Sequence, residues 1–82
     1  MPHLADCQTL LRRLIAKGDP GAIPLAESAI DEYLEVTPGI ARRSGLRLLQ
    51  QDALTLHGAL VGVQRSFAET IDTYIERKLM DG

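Results

Sequence analysis

Between Leu46 and Tyr74 apolar residues recur at steps of three and four: Leu46, Leu49, Ala53, Leu56, Leu60, Val63, Phe67, Ile71 and Tyr74. This is the heptad-like seam of a helix that lies along other helices. Leu54, Val61, Ala68 and Ile75 form a second row beside it, each seven residues from the next. The segment is thus apolar over a wide arc for many turns.

Two shorter amphipathic segments precede it. Leu4, Cys7, Leu11 and Leu14, widened by Leu10 and Ile15, predict a helix over about residues 3–17. Arg12, Arg13 and Lys17 fall in its last turns, where cations suit the helix dipole, and Gly18 is a natural stop. GDPGAIP, residues 18–24, is the clearest loop in the chain. Asp19-Pro20 suggests a capped turn, but that reading competes with Pro24 as the first-turn proline of a second helix. The second helix is expected over about residues 24–35, with Ala26, Ala29, Ile30, Tyr33 and Leu34 buried. Glu27, Asp31 and Glu35 lie opposite at steps of four, with Glu32 beside them. Thr37-Pro38-Gly39 ends it, and Thr37 is expected to cap the third helix with Pro38 at its first position.

No proline follows Pro38, so the third helix is expected to run from about residue 38 to 79, roughly 60 Å at about 1.5 Å per residue. His57-Gly58 and the capping-box order Ser66-Phe67-Ala68-Glu69 argue for a break. GALVGVQR, residues 58–65, argues against one: it is apolar for an exposed loop, and the ladder crosses it in phase. Gly58, Gly62 and Ser66 also form a small-xxx-small series, which in water marks either a close contact or a hinge. The expected fold is all-α, a single helical domain over residues 1–82. It is either two short helices on one long helix, or a four-helix bundle if the long helix breaks near Gly58. Short partners cannot cover a long helix, so Leu49, Leu56, Leu60, Val63, Phe67, Ile71 and Tyr74 are the expected partner-binding face, and a homo-oligomer with a protein partner is expected.

The totals narrow the function. The chain has 82 residues, 45% apolar and 4% aromatic, with a formal net charge of -2. That favours an aliphatic helical interior over a β-sandwich and gives no basic surplus for nucleic acid. Cys7 is the sole cysteine, which excludes an internal disulfide and fits a reducing, cytoplasmic location. With no signal-peptide order and no membrane-length apolar run, the chain is expected to be complete, soluble and intracellular.

Few residues offer chemistry. Arg42, Arg43 and Arg47 crowd the start of the third helix, where cations oppose the dipole. Pairing with the acidic face of helix two or with a neighbouring subunit is the preferred reading, and contact with nucleic acid is the alternative. The acidic stripe lacks the E-x-x-H order of di-iron bundles. LHGALVG, residues 56–62, is similar to the phosphohistidine helix of histidine phosphotransfer domains. That helix follows its His with Lys-Gly, and here Leu60 and Val61 stand in those places. Cys7 lies on a packed stripe. No nucleophile set, phosphate loop, metal cluster or cofactor motif can be assembled, so an enzyme is not expected.

LLRRLIAKGDPGAIPLAESAIDEYL (residues 10–34) resembles the start of FlgN/FliT-type export chaperones of flagellar and type III secretion, with a Leu-rich helix, a -GD- break and a second helix. ARRSGLRLLQQDALTLHGAL (residues 41–60) is similar in character to their third helix. The chain is shorter than those proteins, and Pro24 and Pro38 are not part of their pattern. The resemblance implies a long helix that binds a partner's helical segment. The function expected is a non-enzymatic helical interaction protein: a chaperone, an adaptor or an anti-activator.

Overall fold

The computed structural model describes residues 3–81. They form α1 (His3–Lys17), a 3-10 turn (Pro20–Ala22), α2 (Ile23–Val36), α3 (Ile40–Ala59) and α4 (Gly62–Asp81). No strand occurs among the described residues, and the all-α helical bundle is the fold observed.

α1 buries Cys7, Leu11, Leu14 and Ile15 of its predicted stripe, leaves Leu4 and Leu10 half-buried against the core, and stops at Gly18, whose φ is 66°. In the following loop, the Asp19 carboxylate accepts from the Gly21 N–H at 3.0 Å and caps the 3-10 turn. Pro24 lies in the first turn of α2. The two readings are compatible because a first-turn N–H has no intrahelical partner to lose. Thr37 ends α2 in an extended conformation. It does not cap the next helix. α3 starts at Ile40, with Gly39 at the cap position and no side-chain cap.

The continuous third helix is not observed. α3 ends at Ala59, Leu60 is extended, and Gly62 opens α4 with φ 63°. The turn falls at Leu60–Val61 rather than His57-Gly58, and Gly58 stays inside α3. Ser66 does not restart a helix either. It lies within α4, where its carbonyl accepts from Thr70 Oγ1 at 3.0 Å. The longest dimension of the molecule is 36 Å, far short of the roughly 60 Å of an unbroken helix. The physical reason is burial. A straight helix would leave Phe67, Ile71 and Ile75 in water, whereas folding back sets them against the core with Leu46, Leu49 and Ala53, all at most 3% exposed. Each large side chain so buried contributes about 1.5–3 kcal/mol. That outweighs leaving Val61 and Val63 exposed at the turn, at 75% and 60%.

Polar contacts report the directions of the helices. Arg43 with Leu79, Gln50 with Glu76 and His57 with Glu69 make α3 and α4 antiparallel. Gln8 and Arg12 reach Asp52, and the Gln64 amide reaches the Ala16 carbonyl, so α1 runs parallel to α3. α1 touches each of the other helices, while α2 and α3, although consecutive, stand on a diagonal. Tyr33 bridges that diagonal. Its phenol donates to the Ala41 carbonyl at 2.9 Å, and its hydroxyl end packs so closely on Gly45 that a Cβ there would overlap it.

Thermal melts of three glycine variants test this packing. Gly45→Ala is expected to destabilise by about 1–3 kcal/mol, because the Tyr33 ring must move. Gly62→Ala is expected to cost about 1–2 kcal/mol through its left-handed backbone. Gly58, with open space around it, should tolerate Ala and gain up to about 1 kcal/mol.

Candidate functional site

The seam residues are placed largely inside the molecule. Leu49, Phe67 and Ile71 are buried core residues, and Leu56, Leu60 and Tyr74 are half-buried against that core. Of the seven, Val63 alone is exposed. Leu49, Phe67 and Ile71 are brought together in the core that α3 and α4 share, with Leu56 and Leu60 at its edge, which removes the uncovered ladder as a reason to expect an oligomer. In the second row, Ala68 and Ile75 are buried while Leu54 and Val61 face solvent.

The arginines at the start of α3 do not pair with the acidic face of α2 among the described residues. Arg43 instead donates to the Leu79 carbonyl at 3.1 Å, where a cation meets the negative end of α4. Arg42 lines a cleft with Asp31, Glu35, Lys78 and Asp81, three carboxylates to two cations rather than a phosphate-binding stripe. Asp31 is engaged from α4: Lys78 Nζ lies 3.4 Å away, and the Tyr74 phenol donates to it at 2.7 Å. Lys78 also sits 5.1 Å over the Tyr74 ring. Burial and the Asp31 carboxylate push the Tyr74 phenol up, and Asp31 pushes the Lys78 ammonium up.

The remaining chemical candidates have structural surroundings. Cys7 is buried with Sγ 3.7 Å from the Ala29 carbonyl; burial first, and the Glu32 charge second, push its thiol up to about 11. His57 Nε2 lies 3.1 Å from Glu69 Oε1 and accepts from Arg65 Nε at 3.1 Å. That nitrogen is occupied within the α3–α4 hairpin. No group of three His, Cys, Asp or Glu side chains able to hold a metal ion occurs among the described residues.

One surface does stand out, at the end of the bundle where the link between α2 and α3 crosses. An open groove of about 400 Å³ runs between the start of α1, the end of α2 and the start of α3. Its lining is mainly apolar: Leu4, Val36, Pro38, Ala41 and Leu48, with Tyr33 as the floor and Gly45 beneath it. Val36 is 50% and Leu48 44% exposed, and Ile40 next to Ala41 is 87% exposed. Isolated exposed apolar residues are ordinary, but a cluster on a concave surface is the kind that marks an interaction site. The diagonal placement of α2 and α3 creates it, because no helix covers the gap that Tyr33 spans. The ladder gives no hint of these residues. The available signal is that Ile40 and Leu48 are apolar yet out of phase with it, and that Val36 is apolar beside the Thr37-Pro38-Gly39 stop.

No family model matches the chain, and no curated protein or solved structure is significantly similar to it.

The setting of Cys7 makes its reactivity a probe of the α1–α2 contact. A raised thiol pKa means the thiolate nucleophile is scarce at neutral pH, and burial blocks access as well. Alkylation in native buffer is expected to be far slower than in denaturant. The thiol's contribution to stability should be full below pH 9 and lost as pH rises from 9.0 toward about 11. Native-state alkylation at the unfolded rate would contradict this packing.

Proposed function

We propose that this chain is a non-enzymatic helical interaction protein that receives an apolar helical surface in the groove formed by α1, α2 and α3. The observation that carries the reading is the groove itself. It is concave, mainly apolar and open to solvent, and it lies beside exposed Val36, Ile40 and Leu48. Helix-in-groove recognition uses surfaces of this chemistry, with apolar side chains of the incoming helix as anchors. Gln8 with Asp52, Arg43 with the Leu79 carbonyl and Gln50 with Glu76 tie helices to one another, a structural use of polar side chains that suits a binding scaffold. A chaperone, adaptor or anti-activator would work in this way, and the resemblance to FlgN/FliT-type chaperones falls within that class. A cytoplasmic setting suits a chain whose one cysteine is a buried thiol. No helix among the described residues is long and apolar enough to cross a membrane.

Leu48→Glu tests the reading. The position is on the groove wall and 44% exposed, so the fold should survive with a change in stability within about 0.5 kcal/mol. A tagged chain is expressed in the native cell together with untagged copies of itself, and everything captured is identified, untagged copies included. The wild type is expected to retain a partner that Leu48→Glu loses while its helical content and melting stay unchanged. Capture of the same proteins by both, or of none by the wild type, overturns the proposal.

A further inference from the structure

The surroundings of the groove are unequally charged. Of the described residues, no Asp, Glu, Lys or Arg lines the groove itself. On the α1–α2 side it continues into a smaller cleft of about 170 Å³, with which it shares His3, Tyr33 and Val36. That cleft has apolar walls, Cys7, Leu10 and Ala29, and two carboxylates, Asp6 and Glu32, with no Lys or Arg among its described residues. Asp6 lies three residues from His3 and Glu32 four from Val36, so each carboxylate is on the helix face that reaches the groove. Both are exposed, and neither makes an ion pair or side-chain hydrogen bond among the described residues. The cations at the start of α3 lie elsewhere. Arg42 and Arg43 line the cleft on the other side of the link, and Arg47 is off the face that Ala41, Ser44, Gly45 and Leu48 turn to the groove.

We infer that the occupant of the groove is an amphipathic helix of a different protein with a Lys or Arg beside its apolar stripe, and that this cation enters the cleft bordered by Asp6 and Glu32. The inference rests on the reading of the groove as an interaction surface. Apolar residues of the incoming helix, at steps of three and four, lie over Val36, Leu48 and the Tyr33 floor. The cleft is too small for a helix, which is about 10 Å across, but it matches one long basic side chain. The methylene stem lies along Leu10 and Ala29, and the charged head reaches the two carboxylates. An acidic side chain at that place is repelled, and a neutral one leaves both carboxylates without a partner. The net charge of -2 acts in the same sense at longer range, drawing a basic segment toward the chain. Because Asp6 and Glu32 are exposed, the cation contributes register and selectivity, and the apolar strip supplies most of the affinity.

Selection from a displayed library of random peptides against the full chain tests it. The wild type is expected to enrich sequences with apolar residues at three-four spacing and a Lys or Arg at a fixed offset from them. Binding of an enriched peptide, made synthetically, should weaken as salt is added, and by about tenfold in Glu32→Arg. Asp6→Asn/Glu32→Gln should bind it with little dependence on salt. Both variants change exposed positions and should melt like the wild type. Leu48→Glu should abolish binding. Selection repeated on Glu32→Arg should move the preference at the fixed offset toward Asp or Glu. Peptides lost with Leu48→Glu that show no preference for a cation, or that ignore Glu32→Arg and the neutral variant, overturn the basic helix and leave the groove reading standing. Enriched sequences with alternating apolar residues, the period of an extended strand, overturn the helix as occupant. No enrichment, or peptides that Leu48→Glu still binds, overturns both this inference and the groove reading.

Discussion

The rest of the structure depends on one contact, the antiparallel closure of α3 on α4. Leu46, Leu49 and Ala53 share one core with Phe67, Ala68, Ile71 and Ile75, and these side chains are nearly inaccessible. Once that hairpin closes, it offers an apolar face onto which α1 and α2 can pack with stripes of their own. The bundle then follows from amphipathicity: each helix has one wide apolar face, and burying all four together removes most of the large aliphatic side chains from water. The turn at Leu60–Val61 carries the cost as exposed valines and a left-handed Gly62.

Among the described residues the core contains no buried polar or charged residue, so hydrophobic burial alone does not choose between helix registers. The polar contacts at its margins do. Asp52 takes both Gln8 and Arg12 from α1, Glu76 takes Gln50, and the Leu79 carbonyl takes Arg43. Exposed contacts of this kind add little stability. Their value lies in geometry, since a one-turn slip of any helix would separate all of its partners. Arg43 also resolves an apparent conflict in the chain. A cation near the start of a helix opposes that helix's dipole, but the antiparallel neighbour ends at the same level and presents free carbonyls there.

The groove arises from the same geometry. Because α2 and α3 are consecutive yet diagonal, the three-residue link Thr37–Gly39 spans an end of the bundle that no helix covers. Tyr33 closes the gap from below, and the absence of a side chain at Gly45 lets its ring lie close to α3. The floor is therefore held by a hydrogen bond and close packing and the rim is apolar, which suits a docking surface. On the other side of the link the lining changes to Arg42, Arg43 and Lys78 over leucines, with Asp31, Glu35 and Asp81 close by. Balanced charge there favours water and intramolecular pairing over an apolar guest.

The all-α class, the extent of α1, the loop that starts at Gly18 (read as 18–24, with α2 in fact starting at Ile23) and most of the buried faces of α1 and α2 are legible in the sequence. Each follows from local rules: a 3.6-residue period, glycine's tolerance of positive φ, and proline's missing N–H. Within the last forty residues the same periodicity also identified Leu49, Phe67 and Ile71 as packing residues, but it could not say against what. A seam that runs in phase through Gly58–Arg65 is compatible with a straight helix bound to another chain and with a hairpin bound to itself. Only the tertiary structure decided between them, because the choice depends on whether two distant halves of the seam can reach one another, and that depends on a single turn. The groove was out of reach for the same reason. Val36 and Leu48 are ordinary surface residues in sequence, and they become a site only because α1, α2 and α3 meet at one end of the bundle with a diagonal between the last two.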